Sequence, residues 1–279
     1  MPNVIGSFFL FLLGASLGSF LNVVCLRFIS GDEFIRGRSY CPHCKETLRW
    51  FELIPVFSFV LLWGRCARCR APISPRYLLV EIVMGGYLLL LGNTFLGHPI
   101  QVLFPGIHGV LGDPWAGYAF FLVYLAVGAV ALVLLLIDYE TKFIVISLTR
   151  PLAFLGLTLT LADSFLSPAH TIGQALPQIL MVAGVAFFFF LIWALTRGRG
   201  MGSGDAELAL ALGFFLPYPA ALLMLFFSFW IGAVWGVILM LFFGYRGKSQ
   251  IPFGPFIIAG FGLALFWGQQ ALSYFPPLF

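Results

Sequence analysis

The sequence predicts an all-α polytopic membrane protein of about eight transmembrane helices, with a small cytoplasmic zinc-binding insert between the first and second helices. Three observations carry this expectation. Of 279 residues, 61% are hydrophobic and only 9% are charged, against about 25% charged in a soluble domain. Apolar stretches close to the roughly 20 residues that a span requires recur along the chain. Every Lys and Arg can be placed on one side of the bilayer. The 33 Phe and 31 Gly fit a bundle in lipid, where aromatic rings fill space and Gly lets helices approach closely. A net charge of +4, small and localised, argues against nucleic acid as a partner.

The stretch from Val4 to Val24 has no basic segment before it and no obvious cleavage site. It is long enough to span, so it reads as a retained first helix rather than a signal peptide. Spans are expected at about 4–26, 77–97, 117–137, 151–168, 177–196, 205–217, 219–243 and 253–274. The sixth and seventh are separated only by Pro217-Tyr218-Pro219. One kinked helix across that break would leave seven spans.

The basic residues decide between the two counts. With the N-terminus outside, the inner segments are 27–76, 138–150, 197–204 and 244–252. The first holds Arg27, Arg36, Arg38, Lys45, Arg49, Arg65, Arg68, Arg70 and Arg76. Lys142, Arg150, Arg197, Arg199, Arg246 and Lys248 fill the others, which accounts for all 15. Basic residues of short loops stay on the cytoplasmic side, so eight spans with both termini outside fit. Seven would expel Arg246 and Lys248. The expected division is a first helix over 1–28, an insert over 29–76 and a second membrane domain over 77–279.

The insert carries Cys41-Pro42-His43-Cys44, 21 residues, then Cys66-Ala67-Arg68-Cys69. Paired C-x2-C knuckles present four thiolates tetrahedrally, as structural zinc requires. An iron site of the rubredoxin kind would use the same ligands. A disulfide reading is disfavoured in a reducing cytosol. A core this small would draw its stability from the metal. His43 reads as a spacer, and Cys25 as a small apolar residue of the first helix.

Carboxylates in or beside spans are costly and point to function. Asp138 closes the third span and Asp205 opens the sixth, after Gly202-Ser203-Gly204. The predicted topology brings both to one boundary of the bilayer. Two facing carboxylates can share a proton, one serving as base and one as acid, which is machinery for activating water against a peptide carbonyl. Gly202 and Gly204 would permit an extended or left-handed backbone beside the site, leaving room for a substrate strand. As an N-cap, Asp205 would also be favoured by the helix dipole. Glu140 and Glu207 lie two residues beyond each Asp and read as interfacial. Glu81, deeper in the second span, is expected to pair with Arg76 or to make a polar contact near the site. Asp113, Asp163, His98, His108 and His170 fall on or near the outer side, away from the pair.

Taken together these residues resemble the bacterial type IV prepilin peptidases, or prepilin leader peptidase/N-methyltransferases. Gly18-Ser19-Phe20-Leu21-Asn22-Val23-Val24 and Arg27 are similar to the family's opening motif. The knuckles with Trp50, Ile54-Pro55, Gly64-Arg65 and Ala71-Pro72-Ile73-Ser74-Pro75-Arg76-Tyr77 are similar to its cytoplasmic zinc domain, and Glu81 to an acidic position that follows. Gly202-Ser203-Gly204-Asp205 matches the GxGD signature of intramembrane aspartic proteases, and Asp138 falls where the family's first catalytic Asp lies. The resemblance implies cleavage of the basic leader of prepilins or pseudopilins at the cytoplasmic face of the inner membrane. It also implies N-methylation of the new terminus with S-adenosylmethionine. It carries Asp138 and Asp205 over as the catalytic pair and the four Cys as metal ligands. The chain departs from the family at Val145-Ile146, usually Pro then Asp or Asn, and at Glu207, usually Lys.

No glycine-rich nucleotide loop is visible in the sequence, so the cofactor site stays unassigned. A proton-coupled transporter would use membrane carboxylates too, but along a path rather than at one boundary. A non-catalytic assembly subunit is the remaining alternative. Nine basic residues in the first inner segment would repel a basic leader, which places leader recognition near Glu140 and Glu207.

Overall fold

The computed structural model describes residues 4–31, 39–96, 104–112, 114–167, 172–244 and 251–274, with the backbone alone at 172–174 and 243. Arg36, Arg38, His98, Asp113, His170, Arg246, Lys248 and both termini lie outside the described residues. The architecture is helical: α1 (Val4–Ser30), α2 (Phe57–Leu61), α3 (Pro75–Leu91), α4 (Pro105–Leu111), α5 (Trp115–Thr141), α6 (Ile146–Leu166), α7 (Ile172–Thr196), α8 (Ser203–Gly213), α9 (Ala220–Phe243) and α10 (Gly254–Ser273). Two isolated bridges, Tyr40 with Thr47 and Arg65 with Pro72, are the only β pairing among the described residues.

Each of the eight expected spans has a helix at its place. Six among the described residues are long and apolar enough to cross a membrane: Val4–Ser30, Pro75–Leu96, Trp115–Thr141, Ala175–Thr196, Ala220–Phe242 and Gly254–Ser273. The other two differ for physical reasons. α6 has 21 residues but is diluted by Arg150, Asp163 and several hydroxyls. α8 has 11 residues, a rise of roughly 16 Å against a hydrocarbon core of about 30 Å. Large side chains such as Phe9, Leu122, Phe187 and Trp230 remain exposed on the long helices, as lipid-facing surfaces require.

The chain falls into two compact units. The first comprises Met1–Pro99 with Gly117–Leu136. Its seam is α1 against α3, made close by glycine: a Cβ on Gly14 would lie 2.5 Å from the Met84 carbonyl oxygen, and one on Gly18 would lie 2.8 Å from Met84 Cβ. Small residues allow such approach where lipid supplies no hydrophobic drive between helices. α3 also receives the Gly117–Leu136 stretch of α5. Tyr87 donates to the Tyr124 carbonyl at 2.6 Å, and Phe95 stacks on Tyr124 with ring centroids 5.0 Å apart.

The second unit comprises Ile100–Ala116 with Ile137–Phe279. α8 lies among α6, α7, α9 and α10 and buries most of its length, from Asp205 through Leu208, Ala209 and Leu212. A helix so enclosed has no need to span. The end of α8 and the turn after it are met by α7, where Gln178 Nε2 donates to Gly213 O at 3.5 Å and to Leu216 O at 2.6 Å. Asp163, expected to lie away from the acidic pair, holds α4: its Oδ1 accepts from the Ile107 N–H at 3.0 Å.

Candidate active site and candidate metal centre

Asp138 lies in the last turn of α5. The helix stops four residues later because Lys142 adopts a left-handed conformation (φ 57°) and donates its N–H to the Asp138 carbonyl at 2.8 Å. The following loop leads Ile144 onto the start of α8. There a Cβ on Gly204 would lie 2.8 Å from Ile144 Cβ. Gly204 therefore serves close packing within a helix, and the room expected beside it for a substrate strand is taken by Ile144. Gly202 is extended (φ −78°, ψ 151°).

A second correction concerns Asp205. The N-cap of α8 is Gly202, and Asp205 is the third helical residue. Its Oδ2 reaches back to accept the Gly202 N–H at 3.0 Å. The carboxylate still meets the positive end of the helix, but from inside the first turn. Asp138 and Asp205 are each only 5% exposed, and they lie close enough that the charge of Asp138 acts on Asp205.

The sequence reading missed a third contributor. α10 begins at Gly254, and a Cβ there would lie 2.5 Å from Asp138 Oδ2 and 3.6 Å from Leu208 Cδ2. The Gly254 peptide N–H bears on the Asp138 carboxylate, whose Oδ2 is buried without a hydrogen-bond partner. The available signal was Gly254-Pro255 at the opening of a helix, where Pro is preorganised.

The remaining acidic candidates separate. Glu140 is exposed. Glu207 is half-buried and held by α6: Arg150 approaches its Oε1 at 3.5 Å, and Thr149 Oγ1 donates to Oε2 at 3.4 Å. Glu81 is only 7% exposed, and its Oε2 accepts the Val56 N–H at 2.7 Å. It thus makes a structural contact inside the first unit.

The knuckles form two matching turns. Cys41 N–H donates to Glu46 O at 3.0 Å and Cys66 N–H to Ala71 O at 2.9 Å, while Lys45 and Arg70 close each turn by donating back to Cys41 O and Cys66 O. Lys45 and Arg70 both have positive φ, 58° and 61°. The Cys41, Cys44, Cys66 and Cys69 sulfurs all lie within 4.8 Å of one another, and Cys41 and Cys69 are 3.8 Å apart. A tetrahedral site with Zn–S bonds of 2.3 Å needs sulfurs about 3.8 Å apart, so the donor set fits a metal ion. Backbone hydrogen bonds from Cys44, and then from His43, bring the Cys41 thiol down to about 6 against the upward effect of burial. That favours the thiolate a metal needs. Arg68 joins the knuckles through Glu46 at 2.9 Å, and His43 lies outside the ligand set.

The chain matches known families on both sides of the insert and across the helix bundle. Residues 12–95 match the bacterial peptidase A24 N-terminal domain, and residues 125–237 match the Type IV leader peptidase family. The chain is 32% identical over 297 residues to a prepilin leader peptidase/N-methyltransferase of Burkholderia pseudomallei (strain 1026b), covering 96% of this chain and 87% of the relative. It is 32% identical over 292 residues to that of Aeromonas hydrophila, covering 95% and 92%. To that of Myxococcus xanthus (strain DK1622) it is 33% identical over 246 residues, covering 86% and 64%. No solved structure matches the chain. The chain belongs to the prepilin leader peptidase/N-methyltransferase family, whose members are multi-pass proteins of the inner membrane.

Proposed function

We propose that this chain is a membrane aspartic endopeptidase that removes the leader of type IV prepilins or pseudopilins and N-methylates the terminus it exposes. The observation that carries the peptidase reading is the juxtaposition of two buried carboxylates, Asp138 from the end of α5 and Asp205 from the start of α8. One carboxylate, ionised, takes a proton from water as the oxygen attacks the scissile carbonyl. The other, protonated, gives its proton to the carbonyl oxygen, and the leaving amine is protonated as the C–N bond breaks. The pair's titration belongs to both groups together. Gly202 N–H orients Asp205, and the start of α10 confines Asp138.

Methylation rests on the names of the relatives. S-adenosylmethionine would supply an electrophilic methyl group to the amine. Among the described residues there is no strand–loop–helix unit of the nucleotide-binding kind, so no step of that transfer is assigned to named residues. The four thiolates hold structural zinc. The functional division remains 1–28, 29–76 and 77–279. The positive-inside distribution places the insert and the acidic pair on the cytoplasmic side, with both termini outside.

Co-expression with a prepilin, scoring leader cleavage and N-terminal mass together, tests both activities. Asp138→Asn and Asp205→Asn should each insert normally and cleave nothing; normal processing by either would sink the peptidase reading. Leader recognition is placed at Glu140 and Glu207. The Arg150 contact to Glu207 is solvent-exposed, and such a pair is weak, worth about 0–1 kcal/mol, so a basic leader can displace it. Reversing the charge at both positions should slow processing of basic leaders more than of neutral ones.

A further inference from the structure

Asp138 and Asp205 reach the site on separate elements. α8 is enclosed by α6, α7, α9 and α10, and α5 is not among those helices. Only the end of α5, from Ile137 onward, belongs to the same compact unit as α8. The distance between the two carboxylates is therefore set by whatever joins the end of α5 to the start of α8. Two contacts do so. At Gly254 the bare backbone of α10 meets both Asp138 Oδ2 and Leu208 Cδ2 of α8. Ile144, six residues after Asp138, lies on Gly204, the residue before Asp205.

The loop that carries Ile144 is fastened at both ends. At its start the Lys142 N–H donates to Asp138 O at 2.8 Å. Thr141 Oγ1 donates to Ile137 O at 2.8 Å and accepts the Phe143 N–H at 3.3 Å. At its end Val145 is the N-cap of α6, and its carbonyl accepts the N–H of Leu148 at 3.0 Å and of Thr149 at 3.3 Å. The first turn of α8 is closed on itself in the same way. Asp205 donates its N–H to Gly202 O at 3.3 Å, and its Oδ2 accepts the Gly202 N–H at 3.0 Å. A push or a gap at Gly204 is thus passed on to Asp205, because neither the loop nor the turn has slack to absorb it.

The contact is close and stiff. A Cβ on Gly204 would lie 2.8 Å from Ile144 Cβ and 3.4 Å from both its Cγ1 and its Cδ1, so the branched side chain lies flat against the glycine. β-Branching restricts χ1, which makes Ile144 a defined stop. Phe143 before it is 76% exposed, so of the two neighbours Ile144 is the one that faces α8. The spacing matters because two carboxylates share one proton only while they stand close together.

We propose that Ile144 is a positioning residue of the peptidase site: seated on Gly204, it fixes how far Asp205 stands from Asp138 and holds the pair at the spacing at which both act on one water and one carbonyl. Its consequence for catalysis rests on the peptidase reading; its geometry does not.

Two measurements separate those parts. For the geometry, Asp138 and Asp205 are both replaced by Cys in the full chain, and bifunctional thiosulfonate reagents of increasing span are applied. Mass spectrometry identifies the joined peptides. The shortest reagent that joins the two positions should be longer once Ile144→Ala is added. The same shortest reagent with and without that change overturns the proposal. For the chemistry, Ile144→Val keeps the branch and should leave kcat and KM for leader removal near native. Gly204→Ala should lower kcat by roughly 10- to 100-fold, as a displacement of up to about 1 Å would, with KM near native. Adding Ile144→Gly to Gly204→Ala moves the methyl group to the other side of the contact and should recover most of the lost kcat. A double variant no faster than Gly204→Ala at an unchanged melting temperature overturns the proposal; if it melts lower, the cross-link decides. A native chain that leaves prepilin uncut strikes the peptidase reading alone, and the cross-link still decides what Ile144 holds.

Discussion

A methyl group is the smallest side chain, yet at Gly254 it would sit 2.5 Å from Asp138 Oδ2, closer than van der Waals contact allows. The start of α10 meets the carboxylate with bare backbone, and glycine alone permits that. Gly254→Ala must push Asp138 away from Asp205 or shift the helix. A displacement near 1 Å at a reacting group can cost about 100-fold in rate. The variant should therefore lower kcat for leader removal toward that extent while KM stays close to native, as a prepilin cleavage assay would read. An unchanged kcat would mean that α10 has no part in holding Asp138. Gly204 shows the same physics on the other side of the site, where Ile144 occupies the space a side chain would need.

At the scale of elements, buried polar groups account for the connections that composition does not reveal. Glu81 ties α3 to the start of α2 through the Val56 N–H, and Gln178 ties α7 to the end of α8. Each provides the hydrogen bond that a helix end loses when no water reaches it. Leaving such a donor unmet costs about 1–3 kcal/mol. Glu81→Ala should thus lower thermal stability in detergent by about that amount, whereas Glu81→Gln, which retains a carbonyl acceptor, should remain near native. Equal losses from both would show that the carboxylate's charge, and not its acceptor, is what α2 requires. The short α8 fits the same logic: enclosed by four helices, it carries Asp205 inside the bundle rather than across it.

At the scale of the whole molecule, the insert gathers four sulfurs that could hold an ion, and the expected effect of that ion is on the insert. Four sulfurs within 4.8 Å of one another attached to two short turns make too small a core to fold unaided. Purified protein should carry one zinc per chain by elemental analysis, and the Cys41→Ser, Cys69→Ser variant none. A chelator strong enough to remove the metal should lower the melting temperature of the native chain and leave that of the variant unchanged. Iron in place of zinc would appear in the same measurement as visible absorption.

Much of this protein is legible without its structure, because the relevant signals are local or global and not tertiary. Hydropathy marked the places of the six helices that are long and apolar enough to cross a membrane, since a lipid-facing helix must be apolar along its length. C-x2-C spacing singled out the four cysteines whose sulfurs the fold gathers, since a turn of that length aims both sulfurs at one point. The cost of carboxylates in lipid singled out Asp138 and Asp205. What required the fold was whatever depends on residues far apart in sequence meeting at atomic distance. Gly254 against Asp138, Glu81 beneath Val56 and Phe57 on Phe8 leave no periodicity in any window, because each is set by the packing of separate helices. The same holds for the length of α8, where an apolar run looked like a span until its neighbours were seen to bury it. Sequence determined the membrane class and singled out the four cysteines and the two aspartates, Asp138 and Asp205, that the fold buries. Tertiary structure decided which backbone closes on that pair, because steric approach is a property of surfaces in contact and not of any one segment.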